Sequence, residues 1–391
     1  MSQLVLEADQ LVEAATTATG LDDLGEDTWQ EGLGHLLEAL CAEARLHELG
    51  VQVATGEIVA YLSNRLAITD WRKQHPEIAT ADVVPPLVIM GQGRTGTTIL
   101  YDLLAQDPAT RVPLTWEVDR PCPPPETATY DDDARIDEVE ALQAAVELLI
   151  PGFRIIHPIG ARLAQECVRM TAGDFRSLIF PTQYRVPSYR RWLVYEADLA
   201  PAYRWHRRYL QHLQSAHPTR RWLLKSPAHV WHLGELLAEY PGALLVQTHR
   251  DPLRIMASLA SLMATLRRLA SDQADPRDIA AEWAYDVVEG LDRSVTARLD
   301  GTIRPEQIVD VQFTELTDDP MAVVARIYDQ FGFELSRGAE ARMRGFLDQA
   351  PHAGPGVHSY SFKETGLDET ALRDRVKRYQ EYFSVPSEQI I

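Results

Sequence analysis

The sequence predicts an α/β protein in which a parallel sheet is flanked by helices. Short apolar runs recur at 83–90, 221–225, 243–250 and 307–313, each closed by a loop or turn signal. Each is followed by a stretch with apolar residues at helical spacing. Ser226-Pro227 and Asp251-Pro252 supply a capping residue and then proline at the first helical position. Strands that alternate with helices pair in parallel, because the helix is the crossover that a parallel pair requires.

The elements follow in order. Residues 1–80 read as a helical cap; WQEGLGHLLEALCAEARLHEL (29–49) places apolar residues three and four apart, and 53–75 continues the pattern. Residues 83–106 read as strand VVPPLVIM, loop GQGRTG and helix TTILYDLLAQ, stopped before Asp107-Pro108. The proline-rich, acidic stretch 120–136 reads as a surface crossing. Residues 136–215 read as helical, with turns near Pro151-Gly152, Pro158 and Pro187-Ser188. RWLLK is the next strand, and the helix capped by Ser226 runs to about Tyr240, where Pro241-Gly242 end it. ALLVQTHR and the helix IMASLASLMATLRRLA follow, then strand QIVDVQF and helix MAVVARIYDQFGF. The expectation is a single domain over 1–391: the cap, the loop unit 83–106, a helical acceptor region 120–215, and a second core half with a closing segment over 221–391.

With 45% apolar and 24% charged residues, the chain can bury a core and fold as a globule. No apolar run is long enough to span a bilayer, and MSQLVLEADQ lacks a signal-peptide layout, so no stable membrane insertion is expected. The three cysteines, Cys41, Cys122 and Cys167, are widely separated, which argues against a disulfide framework or zinc site and for a cytoplasmic location. A net charge of −19 repels nucleic acid. An anionic ligand therefore needs a local basic site.

The loop after the first strand is where such a site is expected. Gly91–Gly96 lies at a strand's carboxyl end and feeds a helix N-terminus, whose free N–H groups and dipole favour an anion. GQGRTG fits the dinucleotide pattern GxGxxG, which needs an acidic residue at the end of the next strand; Glu117 is in range, but RVPLTW before it is a poor buried strand. GQGRTGTT also fits a nucleoside-triphosphate loop, but Thr97 stands where the lysine belongs. A tight turn that needs glycine only for its backbone angles is the plain alternative. Backbone donors, two hydroxyls and Arg94 suit a smaller anionic group on a nucleotide.

GRTGTT resembles the 5′-phosphosulfate loop of sulfotransferases that use 3′-phosphoadenosine 5′-phosphosulfate (PAPS), with Arg94 in the basic position. HRDPLRIMAS (249–258) resembles that family's second element, with Arg250 at a strand end and Ser258 eight residues on, about two helical turns along. The likeness is greatest to bacterial sulfotransferases of this length and extends through DPATRVPLTWE, QECV, VPSY, LLKSPAH and HSYSFKETGL. Gln92-Gly93 replaces the family's usual apolar-proline pair. The resemblance implies the P-loop NTPase-like sulfotransferase fold, PAPS as sulfuryl donor and no metal. It places Gly93, Arg94, Thr95, Gly96, Thr97 and Thr98 on the 5′-phosphosulfate, and Arg250, Ser258 and Lys363 toward the 3′-phosphate; His358 and Ser359 fall in the same closing segment.

By the same resemblance, Lys225 at its strand end touches the bridging oxygen, or else is a solvated charge. An attacking hydroxyl needs a positioned proton acceptor. Glu117 sits where the tyrosylprotein branch carries its catalytic glutamate; an ion pair with Arg120 is the structural alternative. His229 lies two residues beyond the place of the cytosolic branch's histidine, so Glu117 is favoured. His157, Glu166 and Cys167 read as a helix entry with a buried structural thiol. Tyr189, Trp192 and Trp205 line an acceptor pocket or belong to the core. Helical apolar surface over the sheet edge points to a small or lipidic alcohol or phenol as acceptor. The competing classes are an NAD- or ATP-linked enzyme on the same loop, and a nucleotide-binding protein without catalysis.

Overall fold

Among the described residues, four short strands pair in parallel in the order β2-β1-β3-β4: β1 Leu87–Met90, β2 Leu223–Lys225, β3 Leu244–His249 and β4 Ile308–Gln312. The computed structural model describes residues 4–149, 159–349 and 361–390. Pro151-Gly152, Pro158, His157, His358 and Ser359 lie outside the described residues. The register aligns Leu87 with Leu223 and Leu244, Ile89 with Lys225 and Val246, and His249 with Gln312. Every residue of β1 is buried, as an apolar central strand of a parallel sheet must be. Each such side chain removed from water contributes roughly 1.5–3 kcal/mol before conformational entropy is counted.

The chain divides into two compact units. The sheet unit comprises 84–112, 219–262 and 275–391; the helical unit comprises 1–83, 113–218 and 263–274. In the sheet unit, α4 Thr97–Leu104 follows β1, α11 Leu233–Glu239 follows β2, and α12 Pro252–Arg267 starts after β3. Then come α13 Pro276–Leu299, α14 Phe313–Asp318, α15 Pro320–Gln330, α16 Arg337–Asp348 and α17 Glu369–Phe383. The helix expected from Ser226 to Tyr240 is broken. Ser226 does accept from the Ala228 N–H, but Pro227–Trp231 form a tighter 3-10 turn, and α11 begins only after His232. The cause is α13: Arg293 donates to the Trp231 carbonyl (2.9 Å), and the Trp231 indole N–H donates to the Asp286 carbonyl (3.0 Å).

The helical unit holds α1 Ala8–Thr19, α2 Thr28–Ala42 and the long α3 Glu48–Gln74. It continues with α5 Thr115–Asp119, α6 Ala134–Leu149, α7 Cys167–Thr171, α8 Ile179–Gln183, α9 Pro187–Tyr195 and α10 Ala200–Gln214. Its core is organised around a buried cation. Arg65 of α3 donates to the carbonyls of Leu24, Glu26 and Gly173 and lies 4.4 Å over the Trp205 ring. Asp174 receives Arg176, the Thr28 hydroxyl and, at 3.6 Å, Arg65. The stretch 120–136 is more than a surface crossing: Pro121, Pro124 and Pro125 are buried, because Arg135 donates to the Arg120 and Pro123 carbonyls and stacks on Trp116. Among the described residues no helix is long and apolar enough to cross a membrane.

Two histidines of α10 are buried. Burial pushes His206 down to about 3 and His212 down to about 4. Both therefore fold as neutral imidazoles. The unfolded chain takes up protons near pH 6.5 that the folded chain refuses until near pH 3, so stability is full above 6.5 and falls as pH drops through that window. Urea denaturation at pH 6.5 and 4.5 should show His206→Phe losing less stability than the parent on acidification, by about 2 kcal/mol.

Candidate active site

In an open parallel sheet, a ligand sits at the carboxyl ends of the strands where the strand order reverses. Here that point lies between β1 and β3, since β2 was added on one side of β1 and β3 on the other. The loop after β1 begins with Gly91 at φ +131°; a Cβ there would lie 2.6 Å from the Thr248 carbonyl oxygen. Only glycine lets β1 leave the sheet so close to β3. The Thr95 hydroxyl donates to the Gln92 carbonyl (2.6 Å), which leaves the Thr248 hydroxyl as donor across a second 2.6 Å contact to Thr95. Gln92 is buried and its side chain reaches α13, so the pair Gln92-Gly93 enters a pinned loop.

Arg94 holds the left-handed conformation at φ +72°, which costs a non-glycine residue about 1–2 kcal/mol and marks a fixed position. Its Nε donates to the Ser258 hydroxyl (2.9 Å), and its carbonyl accepts from Arg250 Nη1 (3.2 Å). The loop after β1 and the β3–α12 element, separated in sequence, therefore meet through Arg94, Arg250 and Ser258. Gly96, at φ +92°, leads into α4, whose first turn carries Thr97 and Thr98. From the end of β2, the buried Lys225 donates to the Thr98 hydroxyl (3.3 Å) and lies 5.4 Å over the Tyr101 ring. Lys225 is thus held against the helix N-terminus rather than solvated at a strand end.

Arg250 stacks 3.9 Å over Phe313 and grips the Glu388 carboxylate with Nε (2.8 Å) and Nη2 (3.0 Å). Arg254 Nε lies 3.5 Å from the same carboxylate. Asp251 is buried; it accepts from the Leu253 N–H, takes both ends of the Arg373 guanidinium (2.6 and 2.9 Å), and accepts from the Glu388 N–H (2.7 Å). Next to Arg250, His249 is buried between the Tyr379 hydroxyl and Asp310, and burial depresses its pKa. Against its own burial, the hydrogen bond from His249 and then those from Arg298 hold the Asp310 carboxyl below its ordinary value.

The other expected residues are placed as follows. A Cβ on Gly93 would meet only Leu259, at 3.6 Å, so the chain itself does not demand glycine there. The Thr95 hydroxyl is turned inward, and Thr97 is buried at the start of α4. Lys363 is exposed in the turn Phe362–Thr365. His229 is buried in the 3-10 turn that follows Lys225. Glu117 belongs to the helical unit, fully buried in α5, and its Oε1 accepts from the Leu114 N–H (3.0 Å). Arg120 is turned instead to the Asp119 carbonyl.

The placement of Glu117 removes the support for a dinucleotide site: it stands on a helix, and the next strand, β2, ends in Lys225. Cys167 and Glu166 do begin a helix, and Cys167 is buried. Cys41, Cys122 and Cys167 form no disulfide, and burial pushes the Cys122 thiol up to about 12. Tyr189, Trp192 and Trp205 are core residues: Tyr189 donates to the Phe175 carbonyl (2.7 Å), Trp192 stacks on His35, and Trp205 lies under Arg65. Thr248, Arg254 and Glu388 were not expected from sequence. Arg254 is one turn from Arg250 in HRDPLR and was legible by that spacing; Glu388 left no local signal.

Residues 85–337 match the model of the sulfotransferase family. The omega-hydroxy-beta-dihydromenaquinone-9 sulfotransferase Stf3 of Mycobacterium tuberculosis (strain CDC 1551 / Oshkosh) is 26% identical over 287 residues, 71% of this chain and 69% of its own length. The crystal structure of sulfotransferase STF9 from Mycobacterium avium is similar with a TM-score of 0.90 and 31% identity over 99% of both chains. That of sulfotransferase STF1 from Mycobacterium tuberculosis H37Rv gives 0.85 and 33%, over 95% of this chain and 99% of its own.

The glycine geometry separates two neighbours. Gly91→Ala should lower unfolding free energy by about 2 kcal/mol or more, through the clash with the Thr248 backbone. Gly93→Ala should stay within about 0.5 kcal/mol of the parent. Denaturant titration of both variants checks the contrast.

Proposed function

The chain belongs to the sulfotransferase family, and from that premise we propose that it moves a sulfuryl group from PAPS to the hydroxyl of a lipidic alcohol. The observation that carries the donor reading is the meeting of Arg94, Ser258 and Arg250 at the point where the strand order reverses. The residues fit an anionic nucleotide: Arg250 and Arg254 already hold a carboxylate there, and Lys225 faces the first turn of α4. Bound PAPS supplies the sulfuryl group and a bisphosphate leaving group. Arg250 and Ser258 are assigned to the 3′-phosphate. Arg94, the Thr97 and Thr98 hydroxyls and the N–H groups of Gly96–Thr98 are assigned to the 5′-phosphosulfate, with Gly93 and Thr95 contributing backbone. Lys225 is positioned by Thr98 to stabilise charge as it develops on the leaving oxygen. Lys363 is kept as a further residue toward the 3′-phosphate on resemblance alone.

For the proton acceptor we assign Glu117. Its support is its place in the family pattern and a carboxylate whose orientation is fixed by the Leu114 N–H. Donor binding is assigned to the sheet unit and acceptor recognition to the helical unit. The lipidic acceptor is supported by the relative named for a menaquinone-derived alcohol.

Calorimetric titration with 3′-phosphoadenosine 5′-phosphate should show binding in the micromolar range that requires the 3′-phosphate. Arg250→Ala should weaken it at least tenfold, about 1.4 kcal/mol. Binding of NAD or ATP in its place would overturn the donor reading. Glu117→Gln should lower turnover by about two orders of magnitude while nucleotide affinity holds. Full turnover in that variant, with loss in His229→Gln, would move the proton acceptor to His229.

A further inference from the structure

The segment after α17 folds back onto the arginine assigned to the 3′-phosphate. Ser384 takes the left-handed conformation at the helix end, φ 54°, and the chain is then tied at Val385 and Ser387 by the Gln380 side chain. Glu388 closes the path: its N–H donates to Asp251, its two carboxylate oxygens accept from Arg250 Nε and Nη2, and Arg254 flanks Oε2. A carboxylate gripped through Nε and Nη2 presents two oxygens to the guanidinium as a phosphate does. Resting on the reading that Arg250 receives the 3′-phosphate, we propose that Glu388 is an internal competitor for that phosphate. Glu388 occupies the arginines until a 3′-phosphorylated nucleotide arrives, and then withdraws.

Three features favour competition over joint binding. Arg250 also donates Nη1 to the Arg94 carbonyl, so its bidentate edge is the one on Glu388, and a phosphate seeking that edge meets the carboxylate. A phosphate a few ångströms from a retained carboxylate sets like charges against each other in a partly dry site. Withdrawal needs little unfolding, because Glu388 is 26% exposed, Gln389 is exposed, Ile390 is only half-buried, and residues 386–390 carry no regular structure. The ties at Val385 and Ser387 lie on the helix side of Glu388, so the displaced carboxylate stays close and returns when the nucleotide leaves. A nucleotide lacking the 3′-phosphate has no need to displace Glu388.

The test is calorimetry on the full chain with 3′-phosphoadenosine 5′-phosphate and, separately, adenosine 5′-phosphate. A segment docked nine-tenths of the time reduces apparent affinity about tenfold. Glu388→Gln and Glu388→Ala should therefore each tighten the bisphosphate several-fold to about tenfold and leave the monophosphate unchanged. Combined with Arg250→Ala, Glu388→Gln should have no further effect. If Arg250→Ala weakens the bisphosphate but the Glu388 variants leave it unchanged, the competition is wrong and the donor reading stands. If the Glu388 variants weaken it, Glu388 orients Arg250 and the proposal is overturned. If Arg250→Ala changes nothing, the assignment of the 3′-phosphate fails, and this proposal fails with it.

Discussion

The approach of β1 to β3 is the constraint on which the candidate site depends. The Gly91 backbone passes against the Thr248 backbone at a distance that excludes a side chain, and the Thr95–Thr248 hydroxyl pair fastens the loop in that position. The fastening fixes Arg94 in the left-handed conformation, which turns its carbonyl to Arg250 and its guanidinium to Ser258. One hydroxyl contact thus helps to set how the loop after β1 meets the β3–α12 element. Each hydrogen bond is modest alone. Their effect is large because they remove alternatives from a loop that would otherwise be free.

Much of this was legible in local patterns. Apolar runs closed by Gly, Ser-Pro or Asp-Pro marked β1, β2 and β3, and the loop motif and HRDPLRIMAS named the residues that meet. Contacts made over long separations were not legible. Ser226 caps a turn as its sequence says, but Arg293 of α13 decides that the helix stops at Trp231. Asp251 reads as a cap, and it is one, yet it also anchors Arg373 and Glu388 from more than a hundred residues away. Glu117 reads as a candidate proton acceptor; its second task, holding the Leu114 N–H, depends on where α5 begins.

The two units differ in what orders them. The sheet unit uses largely apolar strands, with Lys225 ending β2, Arg250 just past β3, and Asp310 within β4 paired to His249 and Arg298. The helical unit buries charge in its interior: Arg65, Asp174 and Arg176 meet among backbone carbonyls and the Trp205 ring. Such a cluster is a poor source of net stability, since desolvating the ions offsets most of their attraction. It does demand one arrangement of α2, α3 and the 172–176 turn, because any other leaves a buried charge without its partner. Fixed packing of this kind suits a unit assigned to tell one acceptor from another.

The Asp251 carboxylate has a wider consequence. It ties both α17, through Arg373, and the terminal segment, through the Glu388 N–H, to the residue beside Arg250. Linkage is reciprocal: whatever the nucleotide does to the docking of that segment, the docking does to the nucleotide, by the same factor. On the proposed competition, the donor-loaded state would present the Glu388 segment to solvent. Anything that held Glu388 away from Arg250 would then tighten donor binding without touching the nucleotide. Sulfuryl transfer would then answer to the enzyme's surroundings as well as to its substrates.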